Sequence, residues 1–465
     1  MLAKIANTFT NAFRIPELKS RILFTLFILA VCRLVAVIPI PGLDGSVLFE
    51  YFRDLEKQQG QGGGLMGMYS LFTGGALERC AIGSLGIMPY ISATIIIQLL
   101  TAVIPRLSKL AREEGGRTKI IQYGRYLTVL LCLGWGMIMA HVWENPREMF
   151  PGLTEDLVRN PGWFYRIQTT VILTTGTLLL MWLGEQITDR GIGNGVSLII
   201  TIGIVARVPQ AGHALVDMFS AGGAIAEKFT IFHGVFLILM LAAVVAGTIA
   251  ITQAQRKVAV QYAQRAVGRK VYQGGTSFMP LRVNYAGVMP IIFAQAILMF
   301  PQKILESLGN LPGVGAGLKG IFRAIGASLN HGEPAYFLIY GLMIMFFSYF
   351  WVATQFNEIQ IADDLKKYGG YIPGVRPGQA TSDFLHHAMS RITLAGAVFL
   401  TIIAVIPDLL YKVMNVPYQV GQFFGGTSLL ITVGVMLDTM RQMETHLLMR
   451  HYDGFLKKGR LRGRI

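Results

Sequence analysis

Charge is scarce in this sequence. Charged residues make up 14% of its 465 positions, where a soluble domain carries about a quarter. Much of the surface therefore faces something other than water. Cysteine is scarcer still: Cys32, Cys80 and Cys132 stand far apart with no paired spacing. That excludes a disulfide framework and a Cys/His metal site, and the three read as small apolar fillers. No G-x-x-x-x-G-K-S/T run occurs, nor H-E-x-x-H, nor G-x-S-x-G. The chain thus has no phosphate loop, zinc-protease helix or hydrolase elbow, and neither a cofactor nor a metal is expected. One run, Gly315 to Gly320, spells G-x-G-x-x-G, but no strand precedes it and it reads as a flexible external turn. Ionisable residues are also rare within the apolar runs. Coupled transporters need acids, His or Lys near the membrane midplane, and an intramembrane enzyme needs paired catalytic groups at one depth. The clear case here is Arg33, placed to snorkel to the outer surface, with Glu185 near an inner helix end.

What the chain has is apolar length. Hydrophobic residues reach 53%, mean hydropathy is +0.50, and 53 glycines fit close-packed or interrupted membrane helices. Runs long enough for about 30 Å of hydrocarbon fall near 21–40, 86–104, 121–142, 169–187, 196–208, 229–251, 285–305, 335–355, 392–410 and 424–440. The first is too long for the apolar region of a secretory signal, contains Arg33 and ends in Pro39-Ile40-Pro41-Gly42, so it reads as a retained helix. Ten spans put both ends on one side. With that side inside, the inner segments hold more than two-thirds of the 41 lysines and arginines. The positive-inside rule then places both termini in the cytoplasm. The net charge of +15 gathers mostly on that face, where an anionic partner would meet it.

Two features are unusual. The segment 60–85 starts with Gly60, Gly62, Gly63 and Gly64, then runs MYSLFTGGALERCAIGSLG, apolar yet too short to span. It is either a re-entrant element or an external loop with a short surface helix. The chain also repeats itself: GIMPYISA from Gly86 and GVMPIIFA from Gly287 agree at five of eight positions. Each opens the second helix of a five-helix half, and five is odd, so the halves insert with opposite orientation.

The motifs so far carry a resemblance. Pro39-Ile40-Pro41-Gly42, Gly74-Gly75-Ala76-Leu77, GIMPYISATIIIQLL from Gly86, MWLGEQITDRGIGNG from Met181, Val375-Arg376-Pro377-Gly378 and GGTSLLI from Gly425 occur in that order over nearly the whole chain. Together they resemble the bacterial SecY family, the channel subunit of the Sec protein translocon. The loops 143–165 and 306–334 carry no matching motif.

The resemblance implies an all-α polytopic fold of about ten transmembrane helices. Two inverted five-helix halves surround a central pore closed by a re-entrant plug. By residue, 1–20 is a cytoplasmic N-terminal segment, 21–208 the first half with the plug near 66–78, 229–440 the second half and 441–465 a basic cytoplasmic tail. Carried over by motif, the pore ring is Ile87, Ile91, Val196, Ile200, Ile292 and Ile431; β-branched side chains are stiff and a greasy constriction gates by dewetting. The plug residues are Met66, Leu71, Phe72, Gly74, Gly75 and Leu77. The lateral gate is Ile87, Ile91, Thr94, Gln98, Asn284, Val288, Ile292 and Gln295.

Two cytoplasmic loops, 252–284 and 356–391, resemble the family's docking loops. The first alternates apolar and basic residues in period two, as a hairpin does. Arg256, Lys257, Arg265, Arg269, Lys270 and Arg376 would meet the ribosome or the SecA motor ATPase. Taken singly, the first five are an ordinary solvated basic face. Further implied partners are the clamp subunit SecE, the accessory subunit SecG, signal sequences, unfolded preproteins and membrane lipid in the bacterial inner membrane, with no direct nucleotide binding. In the MWLGEQITDRGIGNG turn, Gly191, Gly193 and Gly195 are expected to adopt positive φ in a tight hairpin, and Asn194 to cap the next helix.

Overall fold

The computed structural model describes residues 15–59, 70, 73–113, 115–146, 153, 155–219, 231–262, 265–267, 270–272, 275–295, 297–298, 305, 316–329, 333–414, 420 and 427–458. Met66, Leu71, Phe72 and Arg269 lie outside them. The chain divides into two compact units: Met1–Ala226 with Pro417–Val420 and Ile431–Ile465, and Glu227–Val416 with Gly421–Leu430.

The first unit begins with α1 (Pro16–Val35) and α2 (Gly45–Gln59), followed by α3 (Met88–Val103), α4 (Pro105–Arg112), α5 (Gly116–Glu144), α6 (Trp163–Arg190), α7 (Gly195–Val205) and α8 (Val208–Phe219). Helix α1 starts and stops five residues before the apolar run read from the sequence. Pro39 and Pro41 explain its end, since neither can donate a helical hydrogen bond. Between α3 and α4 the chain bends by 105°. Ile104 there is extended, at φ −91° and ψ 113°, as the residue before a proline tends to be.

Small residues and self-satisfied hydroxyls make the helix contacts. Thr128, Thr170 and Thr174 each donate to the carbonyl four residues back, at 2.7–2.8 Å, so they are buried without an orphan donor. A Cβ on Gly136 would touch the Thr170 backbone, which is how closely α5 and α6 approach. The end of α5 and the start of α6 are pinned: Glu144 Oε2 accepts from Arg166 Nε at 2.6 Å and Oε1 from the Gly162 N–H at 2.8 Å. Placing a carboxylate at the start of α6 also suits the helix dipole.

The second unit contains α9 (Ile231–Gln253), β1 (Gln255–Tyr262), β2 (Arg265–Val267), β3 (Lys270–Tyr272), β4 (Thr276–Arg282), α10 (Ala316–Ser328), α11 (Pro334–Gln355), α12 (Glu358–Lys367), β5 (Gly370–Tyr371) and α13 (Gln379–Met414). A helical stretch at 289–295 packs Phe293 edge-on against Phe347 and Trp351 of α11. Helix α14 (Thr427–Lys458) follows, and from Ile431 it belongs to the first unit. The supposed turn at 315–320 is corrected by α10. Leu318, Ile321, Phe322 and Ile325 recur at helical spacing, and that periodicity overrides the glycines.

Six described helices are long and apolar enough to cross a membrane, or seven with the bent α3–α4 pair. The protein is a multi-pass membrane protein. Helix α1 carries Glu17, Lys19, Arg21 and Arg33 and does not meet that measure; the runs at 285–305 and 424–440 extend beyond the described residues.

The α6–α7 turn corrects the expectation for its glycines. Gly193 has φ +90°, but Gly191 has φ −94° and Gly195 is the first residue of α7. Their requirement is space. A Cβ on Gly191 would sit 2.7 Å from Ile187 O, and one on Gly195 only 1.8 Å from Gly184 O. Gly195→Ala is therefore expected to destabilise the protein by about 1–3 kcal/mol, seen as a lower unfolding midpoint in detergent. Gly134→Ala, with nothing within 4 Å of its Cβ, serves as the unaffected control.

Candidate functional site

Of the segment read as re-entrant or external, the described residues 70 and 73–85 are mostly buried. Ser70, Leu77, Cys80, Ala81 and Ser84 have no exposed surface, and Ala76, Leu85 and Ile87 almost none. From 74 to 87 it is a chain of turns rather than a helix. Its backbone bonds go to named partners. The end of α1 and the residues after it take one side: Ile40 N donates to Cys80 O, Ile82 N to Ile38 O and Gly83 N to Val35 O, at 2.9–3.1 Å. That is what the Pro39-Ile40-Pro41-Gly42 motif does, since its single internal N–H reaches across to the segment. Internally, Gly75 N donates to Ser70 O at 2.9 Å and Ser84 Oγ to Ala76 O at 3.1 Å. Gly74 and Gly75 take φ of +64° and +84°, a region glycine enters freely. A Cβ on Gly74 would also meet Arg33 Nη1 and the Gly203 Cα.

Arg33 does not snorkel. Its Nη1 donates to Gly74 O at 3.1 Å, because the turn offers a carbonyl that no helix satisfies. Glu78 meets Arg207 and the Ser70 hydroxyl. Arg207 and Ser70 were not legible as site residues: Arg207 is a lone charge just past an apolar helix, 129 positions from Glu78, and only its opposite sign hinted at a partner. Glu185, by contrast, takes a two-point bond from Arg125, at 3.0 and 2.8 Å.

The residues assigned to the ring lie at helix starts. Ile87 caps α3 and Ile91 is one turn on; both are buried. Val196 is half-buried and Ile200 buried on α7. Ile431 on α14 is buried too. Asn194 caps α7, its side chain accepting from Ser197 N at 3.3 Å. The preceding turn is anchored to both ends of the unit: Ile192 N donates to Thr25 Oγ1 and Gly193 N to Gln442 Oε1.

In the second unit Ile292 and Gln295 are buried, while Asn284 and Val288 are half-buried. On α3, Thr94 and Gln98 are half-buried. The sequence repeat is also a conformational one. Gly86 has φ +58° and Gly287 φ +64°, and the equivalent bonds Ile91 N to Ile87 O and Ile292 N to Val288 O open the two helices at 3.1 and 3.4 Å.

The two basic loops form one body. Strand β1 pairs antiparallel with β4 through Val258–Met279 and with β5 through Gln261–Tyr371, giving a sheet in the order β4-β1-β5. Period two sends Val258, Val260 and Leu281 into a core with Val352, Phe356, Ile372 and Leu385. Arg256 and Lys257 are exposed neighbours on β1 and point to opposite faces. Arg265 and Lys270 belong to the small β2–β3 hairpin.

Arg376 is exposed on a rigid turn. Val375 N donates to Ile372 O at 3.0 Å, with Pro373 and Gly374 (φ +81°) at the positions a type II turn demands. The buried Thr381 hydroxyl donates to Arg376 O at 2.9 Å. Gly374→Ala has room for its Cβ but not the backbone conformation, at a cost of about 1–3 kcal/mol. It is expected to make the 356–391 loop protease-sensitive while the helices unfold at an unchanged midpoint.

The SecY family model matches residues 81–440. The chain is 41% identical to "Protein translocase subunit SecY" of Chlamydia trachomatis serovar D, over 98% of this chain and 99% of that one. Among solved structures, one described as "The structure of a protein conducting channel" aligns over 92% of each chain at TM-score 0.59 and 17% identity. Another, "Sec61 in the Canine ribosome-channel complex from the endoplasmic reticulum", aligns over 92% of each at TM-score 0.56 and 17% identity. The fold is thus that of protein-conducting channels, and over almost its whole length this chain belongs to the SecY family of protein translocase subunits.

Proposed function

We propose that this chain is the conducting subunit of a protein translocase, passing secretory polypeptides across the membrane and releasing hydrophobic segments sideways into lipid. The observation that carries this is the largely buried, non-helical segment 74–87. Irregular backbone survives at membrane depth only where protein buries it or it lines a watery cavity, and a channel stopper needs such a seat. In this reading 66–78 is the plug, with Met66, Leu71, Phe72, Gly74, Gly75 and Leu77 as its residues. Ile87, Ile91, Val196, Ile200, Ile292 and Ile431 form a stiff apolar constriction. The lateral gate consists of Ile87, Ile91, Thr94, Gln98, Asn284, Val288, Ile292 and Gln295. The halves 21–208 and 229–440 insert with opposite orientation, and both termini are cytoplasmic in a bacterial inner membrane. The chain is a passive pore, not an enzyme, so energy comes from a motor ATPase or the ribosome docked on the β4-β1-β5 sheet and Arg376. The ribosome-bound likeness supports the second of these. Small subunits of the SecE and SecG kind complete the assembly.

Deleting 66–78 from the reconstituted channel is expected to raise ion conductance in planar bilayers while precursor translocation continues. Unchanged conductance would remove the stopper assignment. Arg376→Glu is expected to cripple motor-driven translocation without loss of folding. A guanidinium fork suits carboxylate and phosphate partners, and the exposed turn contributes little to stability. Normal translocation with both motor and ribosome would show that the turn docks nothing.

A further inference from the structure

We infer that Arg207 and Glu78 form a latch that ties the base of the plug to the helix bearing Val196 and Ile200, so that displacement of this helix releases the plug. The inference rests on the stopper and constriction roles proposed above. Its basis is a closed triangle of polar side chains. The Ser70 hydroxyl donates to Glu78 Oε1 at 2.6 Å, and Arg207 Nη2 donates to both Ser70 Oγ and Glu78 Oε1. The Glu78 side chain is 7% exposed and that of Arg207 15%, too little for water to screen the pair. A second guanidinium, Arg33, holds Gly74 O from α1. Gly74 O and Glu78 are thus each held by a guanidinium, one from α1 and one from the junction of α7 and α8.

The position of Arg207 makes the grip conditional. It lies between the end of α7 at Val205 and the start of α8 at Val208. Its N–H donates to Ile204 O at 3.0 Å and its carbonyl accepts from Ala211 N at 3.1 Å. A shift of α7 therefore carries Arg207 with it. A buried ion pair has little tolerance for a partial break, since separating the partners leaves two uncompensated charges in an apolar setting. Only once water fills the space can both charges be separately solvated. The latch is thus closed when the seat is dry, and it opens when a passing chain moves α7 and lets water in.

The test uses the full chain reconstituted with its partner subunits. Resting conductance in planar bilayers is measured beside translocation of precursors with intact and weakened signal sequences. Glu78→Gln and Arg207→Gln are expected to raise resting conductance several-fold towards that of the 66–78 deletion and to admit the weakened precursors, with intact precursors still translocated. The exchanged pair, Glu78→Arg with Arg207→Glu, is expected to bring conductance back down, which a merely space-filling role would not do. If both single variants stay as tight as the parent while the deletion leaks, the latch is overturned and the stopper stands. If the deletion is tight as well, both fall. Leaky singles that the exchange does not restore also overturn it. Should Glu78→Gln fail to accumulate, Ser70→Ala, which removes only the bridging hydroxyl, is expected to give a smaller rise, and no rise counts against the latch.

Discussion

The structure depends on satisfying the backbone of one non-helical stretch, residues 74–87, most of which is buried. A helix meets its own hydrogen-bonding demand, and an irregular segment cannot. Here the demand is met by the end of α1 and the residues after it, which give the segment a partner at Val35, Ile38 and Ile40, by the Ser84 hydroxyl on Ala76 O and Ala81 O, and by Arg33 on Gly74 O. The short turn after the first span and the glycine-rich turn before α3 are one structure. Remove either and the other exposes unpaired polar groups. A short stretch can therefore sit buried among spanning helices without being one itself.

Glycine serves this protein in two physically distinct ways. At Gly74, Gly75, Gly86 and Gly287 the backbone turns through positive φ, and the last two do so at the head of matching helices with a proline three residues on. At Gly184, Gly191 and Gly195 the need is for closeness: α6 and α7 approach until the Gly184 carbonyl occupies the place of a Cβ on Gly195. Close approach replaces the hydrophobic drive that lipid does not supply. It also holds Val196 and Ile200 on a helix whose start is capped by Asn194 and which is followed by Arg207 two residues past its end.

The small sheet converts two flexible-looking loops into a rigid platform. Val258, Val260 and Leu281 bury one face against α11, α13 and Ile372, and β5 adds the second loop to the first through two residue pairs. Arg376 then stands on a turn whose two sides are both fastened to that core. A charge presented on a stiff mount loses less entropy on contact than one on a free loop.

Much of this was legible in the residues themselves. Apolar run length marked a multi-pass membrane protein. Period two in 252–284 marked the β1 strand because alternation survives any tertiary setting that buries one face. Asn194 could be named as a cap because capping is local, and the repeat from Gly86 and Gly287 marked two helices with the same backbone start. What the sequence could not decide were the relations between distant residues. Whether residues 73–85 lay buried or outside depended on α1 and α7 closing around them. The fate of Arg33 depended on a carbonyl 41 positions away. Glu78 and Arg207, far apart in the chain, are an ion pair only because the fold removes both from water together. Local order is written in neighbouring residues, but burial is a property of the whole fold, so it alone decided which charges are partners.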